Sequence, residues 1–196
     1  MPGEIRSVKD EIRIFSVKPA FTQIPEAFWI IGVVFRGRYY LDGVMKKQIS
    51  PDETNLTMSL ADMVCSSPHY DQIRVIMLDS IAFGGRSLID IQGLHQQTKR
   101  PIILVSKNRQ PLDKLMTTDP HVQEKLARTL EKLGDETEIK VPKQERIFMW
   151  TSGVSKRISE IIIRKSSVET GIPEALRICD LIATAFSNMS QKEQKV

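Results

Sequence analysis

The hydrophobic pattern of the N-terminal part of the chain predicts three β-strands. Polar and apolar residues alternate over 11–17, the period of a half-buried strand, and Pro19 is expected to end it. A β-branched and aromatic run over 27–36 indicates a central strand. Arg36-Gly37-Arg38 then predicts a tight turn into a third strand over 39–49. Together these strands would form an antiparallel meander.

The next part of the chain changes to a helical period and then alternates strands with helices. Ser50-Pro51-Asp52-Glu53 predicts a helix start, and the apolar positions that follow extend this helix to about Cys65. The runs over 73–78 and 101–105 predict short buried strands, with a helix opened by Gly84-Gly85 between them. The order of strand, helix and strand is typical of a right-handed parallel βαβ unit.

The C-terminal half is predicted to be mostly helical. Its expected elements are a charged helix over 111–133 with a break near Pro120, a polar connection over 134–142, a strand over 146–151, and helices over 155–165 and 173–189. No repeat or linker divides the chain, so we expect one domain over 1–196, with the C-terminal helices at about 155–189. Three antiparallel strands followed by a parallel β-α-β-α-β order, with helices on both faces, predict an α/β fold with a ribonuclease H-like mixed sheet.

The composition favours an ordinary globular protein. The 196 residues are 41% hydrophobic and 27% charged, which argues against disordered, collagen-like and low-complexity chains. No apolar run approaches the ~18 residues that a membrane span needs, so we expect no membrane contact, and the polar N-terminus predicts no signal peptide. Cys65 and Cys179 lack a CxxC partner, so we expect buried thiols and a reduced, cytoplasmic compartment.

The charge is unevenly distributed and indicates a nucleic-acid partner or a solvated basic face. The formal net charge is +4, with −1 over residues 1–98 (10 basic, 11 acidic) and +5 over residues 99–196 (18 basic, 13 acidic). Four basic residues flank the last predicted parallel strand, namely Lys99, Arg100, Lys107 and Arg109, and Arg36 lies at the turn of the meander. Such residues can contact phosphates without regard to sequence, and the alternative for each is a solvated basic face.

Two acids are candidate metal ligands because of where they follow predicted strands. Asp79 ends the strand over 73–78, at the edge where ligands of open α/β sheets gather, and Asp52 follows the third strand. Carboxylate oxygens suit Mg²⁺, which commonly takes one or two of them and completes its shell with water and phosphate. The alternative for both acids is helix capping or a turn. Asp90 is expected to hydrogen-bond locally, and the three histidines show no metal spacing.

Six runs, spread in order from about Glu11 to about Ala185, carry a family resemblance. They are Gly32-Val33-Val34-Phe35-Arg36-Gly37, Asp42-Gly43-Val44-Met45, Tyr70-Asp71-Gln72-Ile73-Arg74-Val75-Ile76-Met77-Leu78-Asp79, Leu88-Ile89-Asp90-Ile91, Pro101-Ile102-Ile103-Leu104-Val105 and Pro173-Glu174-Ala175-Leu176-Arg177. The part over 72–79 is the most specific. Taken together, the runs resemble the archaeal endonuclease dU family, which is related in fold to endonuclease V.

The resemblance implies a ribonuclease H-like core and metal-dependent cleavage of DNA beside a deaminated base, uracil in deoxyuridine, as in DNA repair. It implies that Asp79 and Asp52 act as catalytic acids and ligands of a Mg²⁺ or Mn²⁺ ion that activates the attacking water. DNA is then the expected partner, and the oligomeric state stays open, with a homodimer as one option. The candidate nucleic-acid contacts are Lys18, Arg36, Arg86, Lys107 and Arg109.

The first strand departs from the family at its metal-binding acid. The family has Gly-Ile-Asp-Asp-Gly-Pro-Phe where this chain has Ser16-Val17-Lys18-Pro19-Ala20-Phe21, so Lys18 replaces an acid. One explanation is a non-cleaving, nucleic-acid-binding paralogue in which Lys18 takes the place of the cation and contacts phosphate directly. The other is that Glu11 or Glu53 substitutes for the lost ligand and weak endonuclease activity survives. We expect an impaired active site, because losing one carboxylate from a two-metal site costs orders of magnitude in rate.

Overall fold

A computed structural model describes residues 5, 7–21, 28–50, 55–83, 87–109, 120–140, 146–168 and 171–192, most of which fold around one mixed β-sheet. The strands are β1 (Arg13–Phe21), β2 (Phe28–Arg36), β3 (Tyr40–Ile49), β4 (Val75–Leu78), β5 (Ala82–Phe83), β6 (Ser87–Leu88), β7 (Ile102–Ser106), β8 (Thr137–Lys140) and β9 (Arg146–Ser152). The helices are α1 (Leu56–Cys65), α2 (Ile91–Thr98), α3 (Pro120–Leu133), α4 (Lys156–Ser166) and α5 (Glu174–Lys192). None of these described helices is long and apolar enough to cross a membrane.

The sheet brings the ends of its parallel strands to a common edge. Its strand order is β3-β2-β1-β4-β7-β9-β8, and β5 and β6 form a separate hairpin. β1 pairs antiparallel with β2 and β2 with β3, whereas β4 is parallel to both β1 and β7. β9 returns antiparallel to β7, and β8 pairs antiparallel with β9. β1, β3, β4 and β7 therefore end at one edge, which we call the carboxyl edge. The predicted ribonuclease H-like sheet is confirmed.

Alternating side chains of the strands build a core on each face of the sheet. Phe15 and Val17 of β1 pack with residues of α1 and α2, whereas Ile14 packs with residues of α4 and α5. Gly32 in β2 is required by the first of these cores, because a Cβ there would lie 2.7 Å from Phe15 Cζ and 2.9 Å from Met63 Cε. Helices thus cover both faces, and the burial of apolar surface between layers supplies the main driving force for folding.

Pro19 does not end the first strand, contrary to the sequence prediction. β1 continues to Phe21 and stays paired with β2, with Pro19 opposite Ile30. The pairing of β1 with β4 extends only to Ser16, so the last part of β1 has a paired neighbour on one side alone among the described strands. A strand with one open side tolerates proline, which has no amide hydrogen to donate.

α1 is capped by a side chain that the sequence prediction did not choose. The helix begins at Leu56, and the side chain of Asn55 accepts a hydrogen bond from the amide of Met58 at 3.2 Å. The predicted start falls largely on residues 51–54, which lie outside the described residues. Cys65 is exposed, against the prediction of a buried thiol, because it shares a helix face with the exposed residues Met58 and Asp62.

α2 begins later than predicted, after a short hairpin. β6 occupies part of the stretch that is predicted to form a helix opened by Gly84-Gly85, and β5 lies just before that stretch. Residues 84–86 lie outside the described residues. The helix starts where the carboxylate of Asp90 accepts hydrogen bonds from the amides of Gln92 and Gly93, both at 3.0 Å. Because this cap satisfies amides that have no partner within the helix, it sets the start of α2. The local hydrogen bonding expected of Asp90 is confirmed.

The polar connection predicted over 134–142 contains a strand. β8 pairs with β9, and Ile139 lies opposite Ile147, with both side chains buried. A four-residue strand with one buried side chain is too short for its alternation to be recognised in the sequence. The charged helix predicted over 111–133 is described from Pro120 onward as α3, and residues 111–119 lie outside the described residues.

Candidate functional site

The carboxyl edge carries a pocket lined by charged side chains. It has a volume of about 240 Å³, and we call it the edge pocket. Lys18 comes from β1, Asp79 directly follows β4, and Lys107 directly follows β7. The neighbouring positions of these strands in the sheet bring together three of the residues that the sequence singled out. The lining includes Lys18, Asp79, Lys107, Asn108, Ile172 and Leu176.

Lys18 and Asp79 in the lining of this pocket form an ion pair. The ammonium of Lys18 contacts a carboxylate oxygen of Asp79 and lies 3.4 Å from Oδ1 of Asp180 in α5. The side chain of Lys18 is 12% exposed and that of Asp79 is 27% exposed, so the pair is largely shielded from water. Removing one partner would leave the other charge poorly solvated. The pair therefore joins β1 to the end of β4.

The described part of the site does not fit a Mg²⁺ or Mn²⁺ ion. Mg²⁺ needs oxygen ligands at about 2.1 Å. The Asp79 carboxylate is instead neutralised by an ammonium, which would repel a divalent cation. Across the described ranges, no group of three or more His, Cys, Asp and Glu side chains could hold a metal ion. Asp52, the second predicted ligand, lies outside the described residues, as do Glu53 and Arg86.

Two consecutive residues of α5 complete the surroundings of the ion pair. Asp180 was missed at the sequence level, because a helical acid that is 61% exposed resembles any acid of a solvated face. The thiol of Cys179 donates towards the backbone oxygens of Ser16 and Ile31, at 3.6 and 3.3 Å. Burial, reinforced by the negative charge of Asp79, raises the pKa of the Cys179 thiol well above its usual range. The thiol therefore stays protonated and is a poor nucleophile.

The loop after β7 presents two predicted cations on different sides of the sheet. Lys107 lines the edge pocket together with Ile147, whose side chain belongs to the core beneath α4 and α5. Arg109 instead lies with its guanidinium carbon 5.3 Å from the ring centre of Phe148, in the core on the α1 and α2 side. Arg109 also pairs with Glu136 at 2.6 Å. Both cations lie at the carboxyl edge, one towards each face.

Arg36 lies at the opposite edge of the sheet from the edge pocket. Arg36 lies opposite Arg13 in the register of β1 and β2. Arg13 is five residues before Lys18 on β1, which is about 16 Å at the ~3.3 Å rise of a strand. The guanidinium of Arg36 is bound by Asp42 at 3.1 Å and lies 3.8 Å from Glu11. The structure therefore does not bring Arg36 together with Lys18 and Lys107, and it assigns Glu11 to the same remote edge.

The comparisons with known proteins agree with this architecture. A protein of unknown function from Archaeoglobus fulgidus has a TM-score of 0.73 and 25% identity, over 89% of this chain and 97% of that one. The Ciona intestinalis endonuclease V in complex with a 24mer DNA containing an inosine followed by a ribo-adenosine has a TM-score of 0.56 and 16% identity, over 93% of this chain and 87% of that one. The second likeness is one of fold.

Sequence relatives carry the family relation further. The UPF0215 protein of Methanosarcina barkeri is 33% identical over 180 residues, which are 91% of this chain and 92% of the relative. The family described as Endonuclease dU matches residues 10–187, a range that contains Lys18, Asp79, Lys107 and Asp180. The chain therefore belongs to the endonuclease dU family, as the sequence resemblance predicted.

Proposed function

We propose that this protein binds nucleic acid, with DNA as its partner, and does not cleave it by metal-ion chemistry. The observation that carries the proposal is the contact between the Lys18 ammonium and the Asp79 carboxylate. The family resemblance implies metal-binding acids at this edge. In this protein the ammonium of Lys18 neutralises Asp79, the acid that follows β4. The fold shared with endonuclease V supports a nucleic acid as the partner.

The cations at the carboxyl edge divide into two roles. Lys18 is engaged by two carboxylates, so its part is to neutralise Asp79 rather than to hold a phosphate. In this proposal, Lys107 in the edge pocket and Arg109 on the other side of the same loop contact phosphates of a strand that crosses this edge. The ion pair of Arg109 with Glu136 is exposed on the arginine side and is worth about 0–1 kcal/mol, so a phosphate can replace the carboxylate at little cost.

Binding without cleavage is tested on duplex DNA with and without a single uracil. We expect fluorescence anisotropy to show binding that weakens with salt, and a nicking assay with Mg²⁺ or Mn²⁺ to show no cut strand. A Lys107→Gln/Arg109→Gln variant should reduce the slope of log affinity against log salt by about 0.9 per lost contact. A Lys156→Gln/Arg157→Gln variant on α4 is the matched control, because it removes two exposed cations from another element.

Three outcomes would overturn this proposal in different parts. Metal-dependent nicking at the uracil by the wild-type protein, abolished in an Asp79→Asn variant, would establish the deoxyuridine endonuclease that the family name denotes and refute the non-cleaving role. An absence of binding to duplex DNA at low salt would refute the nucleic-acid role itself. Equal loss of affinity in the two double variants would show that net charge, rather than contact at the carboxyl edge, governs binding.

A further inference from the structure

A second cavity lies on the other face of the sheet, between α3 and the starts of α1 and α2. Its volume is about 460 Å³, and we call it the α3 groove. One wall comes from α3 and carries three cations, whereas the opposite wall carries a single acid, Asp90. The groove is lined by Asn55, Thr57, Leu88, Asp90, Lys125, Arg128, Thr129 and Lys132.

The three cations form a row along one face of α3. Lys125, Arg128 and Lys132 are three and four residues apart, the spacing that aligns side chains on a helix. Leu130 and Leu133 pack against the core, and this packing fixes which face of α3 borders the groove. The first and last cations of the row are seven residues apart, or about 10 Å at ~1.5 Å per residue. Four successive phosphates of one DNA strand rise by a similar length, in three steps of about 3.4 Å.

The ion pairs within the groove are exchangeable. Lys132 lies 3.1 Å from Oδ2 of Asp90, and Arg128 lies 2.6 Å from Glu124 on its own helix. The side chains of Lys132 and Arg128 are 60% and 74% exposed, and exposed ion pairs contribute only about 0–1 kcal/mol. A phosphate oxygen can therefore take the place of either carboxylate. Oδ1 of Asp90 stays committed to the amides that cap α2.

The α3 groove also borders the carboxyl edge. α1 follows β3 and α2 follows β4 after the hairpin, so the helix starts that line the groove are placed where parallel strands end. Arg109 lies on this same side of the sheet, over Phe148. A nucleic-acid strand that contacts Arg109 in the loop after β7 could therefore continue along the cations of α3.

We propose that the α3 groove binds the sugar-phosphate backbone of nucleic acid, with Lys125, Arg128 and Lys132 contacting phosphates. This inference rests on the proposed nucleic-acid function and adds to it a contact region distinct from the edge pocket. Binding there is independent of base sequence, since phosphates carry no base information.

The test compares charge-matched variants of the full-length protein. Lys125→Gln/Arg128→Gln alters the groove, and Lys156→Gln/Arg157→Gln removes the same charge from α4. All four side chains are exposed, so circular dichroism should report intact folds. Anisotropy with a labelled 30-base-pair duplex over a salt series should show about tenfold weaker binding for the groove variant at low salt. Its salt slope should fall by about 1.8, with a less than twofold change in affinity for the α4 variant.

The possible results separate this inference from the proposed function. Wild-type affinity in the groove variant, together with weakened binding in Lys107→Gln/Arg109→Gln, would refute the groove and leave the proposed function standing. An absence of wild-type binding at low salt would refute both. In a third result, inorganic phosphate raises the Tm of the wild type but not of the groove variant, and the groove variant binds duplex DNA like the wild type. This result would assign the groove to a free anion and overturn the inference.

Discussion

Cys179 is a residue whose chemistry is governed by its position beneath the ion pair. Burial and the nearby carboxylate of Asp79 raise the pKa of its thiol, and the thiol lies 3.3 Å from the backbone oxygen of Ile31. In the unfolded chain the same thiol would ionise near its ordinary value of 9.0. The folded and unfolded states therefore bind different numbers of protons in alkaline solution.

This difference predicts a loss of stability as the pH rises above about 9. The folded state keeps the proton of the Cys179 thiol while the unfolded state releases it, so the stabilisation is complete below the unfolded pKa and declines above it. Urea unfolding at several pH values from 7 to 10 measures the decline, and a Cys179→Ala variant should show a shallower one. Curves of equal slope for the two proteins would contradict the prediction. Cys65 is common to both, so its titration cancels.

At this scale the sequence singles out some of the residues that the structure brings together in the edge pocket. Lys18 and Asp79 were recognised because a cation stands where the family resemblance places an acid, and because Asp79 follows a buried strand. Asp180 was not recognised, since its exposed side chain acquires significance only when α5 packs along β1. Arg36 was grouped with the other cations from its turn position, and the antiparallel register carries it to the remote edge.

Among the elements, the start of α2 depends on one side chain with several partners. Asp90 caps the helix through Oδ1 and meets Lys132 of α3 through Oδ2. Burial opposes ionisation of this carboxyl, but the amides of Gly93 and Gln92 and the ammonium of Lys132 outweigh it and lower the pKa of Asp90. The contribution of Asp90 to stability is therefore present above its unfolded pKa and is lost as the pH falls through the lower, folded value.

We accordingly predict that Asp90→Ala destabilises the protein at pH 7 by about 0.5–2 kcal/mol, the range observed for lost N-caps. Urea unfolding at pH 7 and near pH 3 measures the difference, which should shrink in acid because the wild-type carboxyl becomes protonated. Asp90→Asn is the matched control, since an amide oxygen still caps the helix but lacks the charge. Equal stability of Asp90→Ala and the wild type at pH 7 would contradict a capping role.

The length of a helix or strand determines whether it can be predicted from the sequence. The sequence predicts β2 because nine consecutive residues form a β-branched and aromatic run, and it predicts α5 because nineteen residues repeat the helical period several times. β5 and β6 have two residues each, too few to show any period; the sequence assigns no element to β5 and predicts helix over β6. Pro19 was given its usual meaning as a strand terminator, which fails where β1 has passed beyond β4 and one side of the strand is open.

For the whole molecule, the ion pair at the carboxyl edge joins parts of the chain that are far apart in sequence. Lys18 of β1 meets Asp79 after β4 and lies near Asp180 of α5. These positions converge because β1 and β4 are parallel neighbours and α5 packs across β1. The order of elements predicted this convergence for the strands. The position of Asp180 near Lys18 depends on how α5 packs on β1, which the local pattern of hydrophobic and polar residues does not predict.

Substitutions at Lys18 test whether its ammonium takes the place of a metal ion. Lys18→Met should lower the free energy of unfolding by about 1–3 kcal/mol, between the values for exposed and buried pairs, because Asp79 is left shielded without its ammonium. Lys18→Asp places a third carboxylate beside Asp79 and Asp180, so it should be less stable still without metal. Millimolar Mn²⁺ should then raise the Tm of this variant by mass action.

The wild-type protein is the control for the metal response. Its ammonium repels a divalent cation, so Mn²⁺ should leave its Tm unchanged while raising that of Lys18→Asp. An equal rise in both proteins would mean that Lys18 does not occupy the place of the metal, and the non-cleaving role would fall with it. No destabilisation in Lys18→Met, with Lys156→Met on α4 as the comparison, would show that the pair does not hold β1, β4 and α5 together.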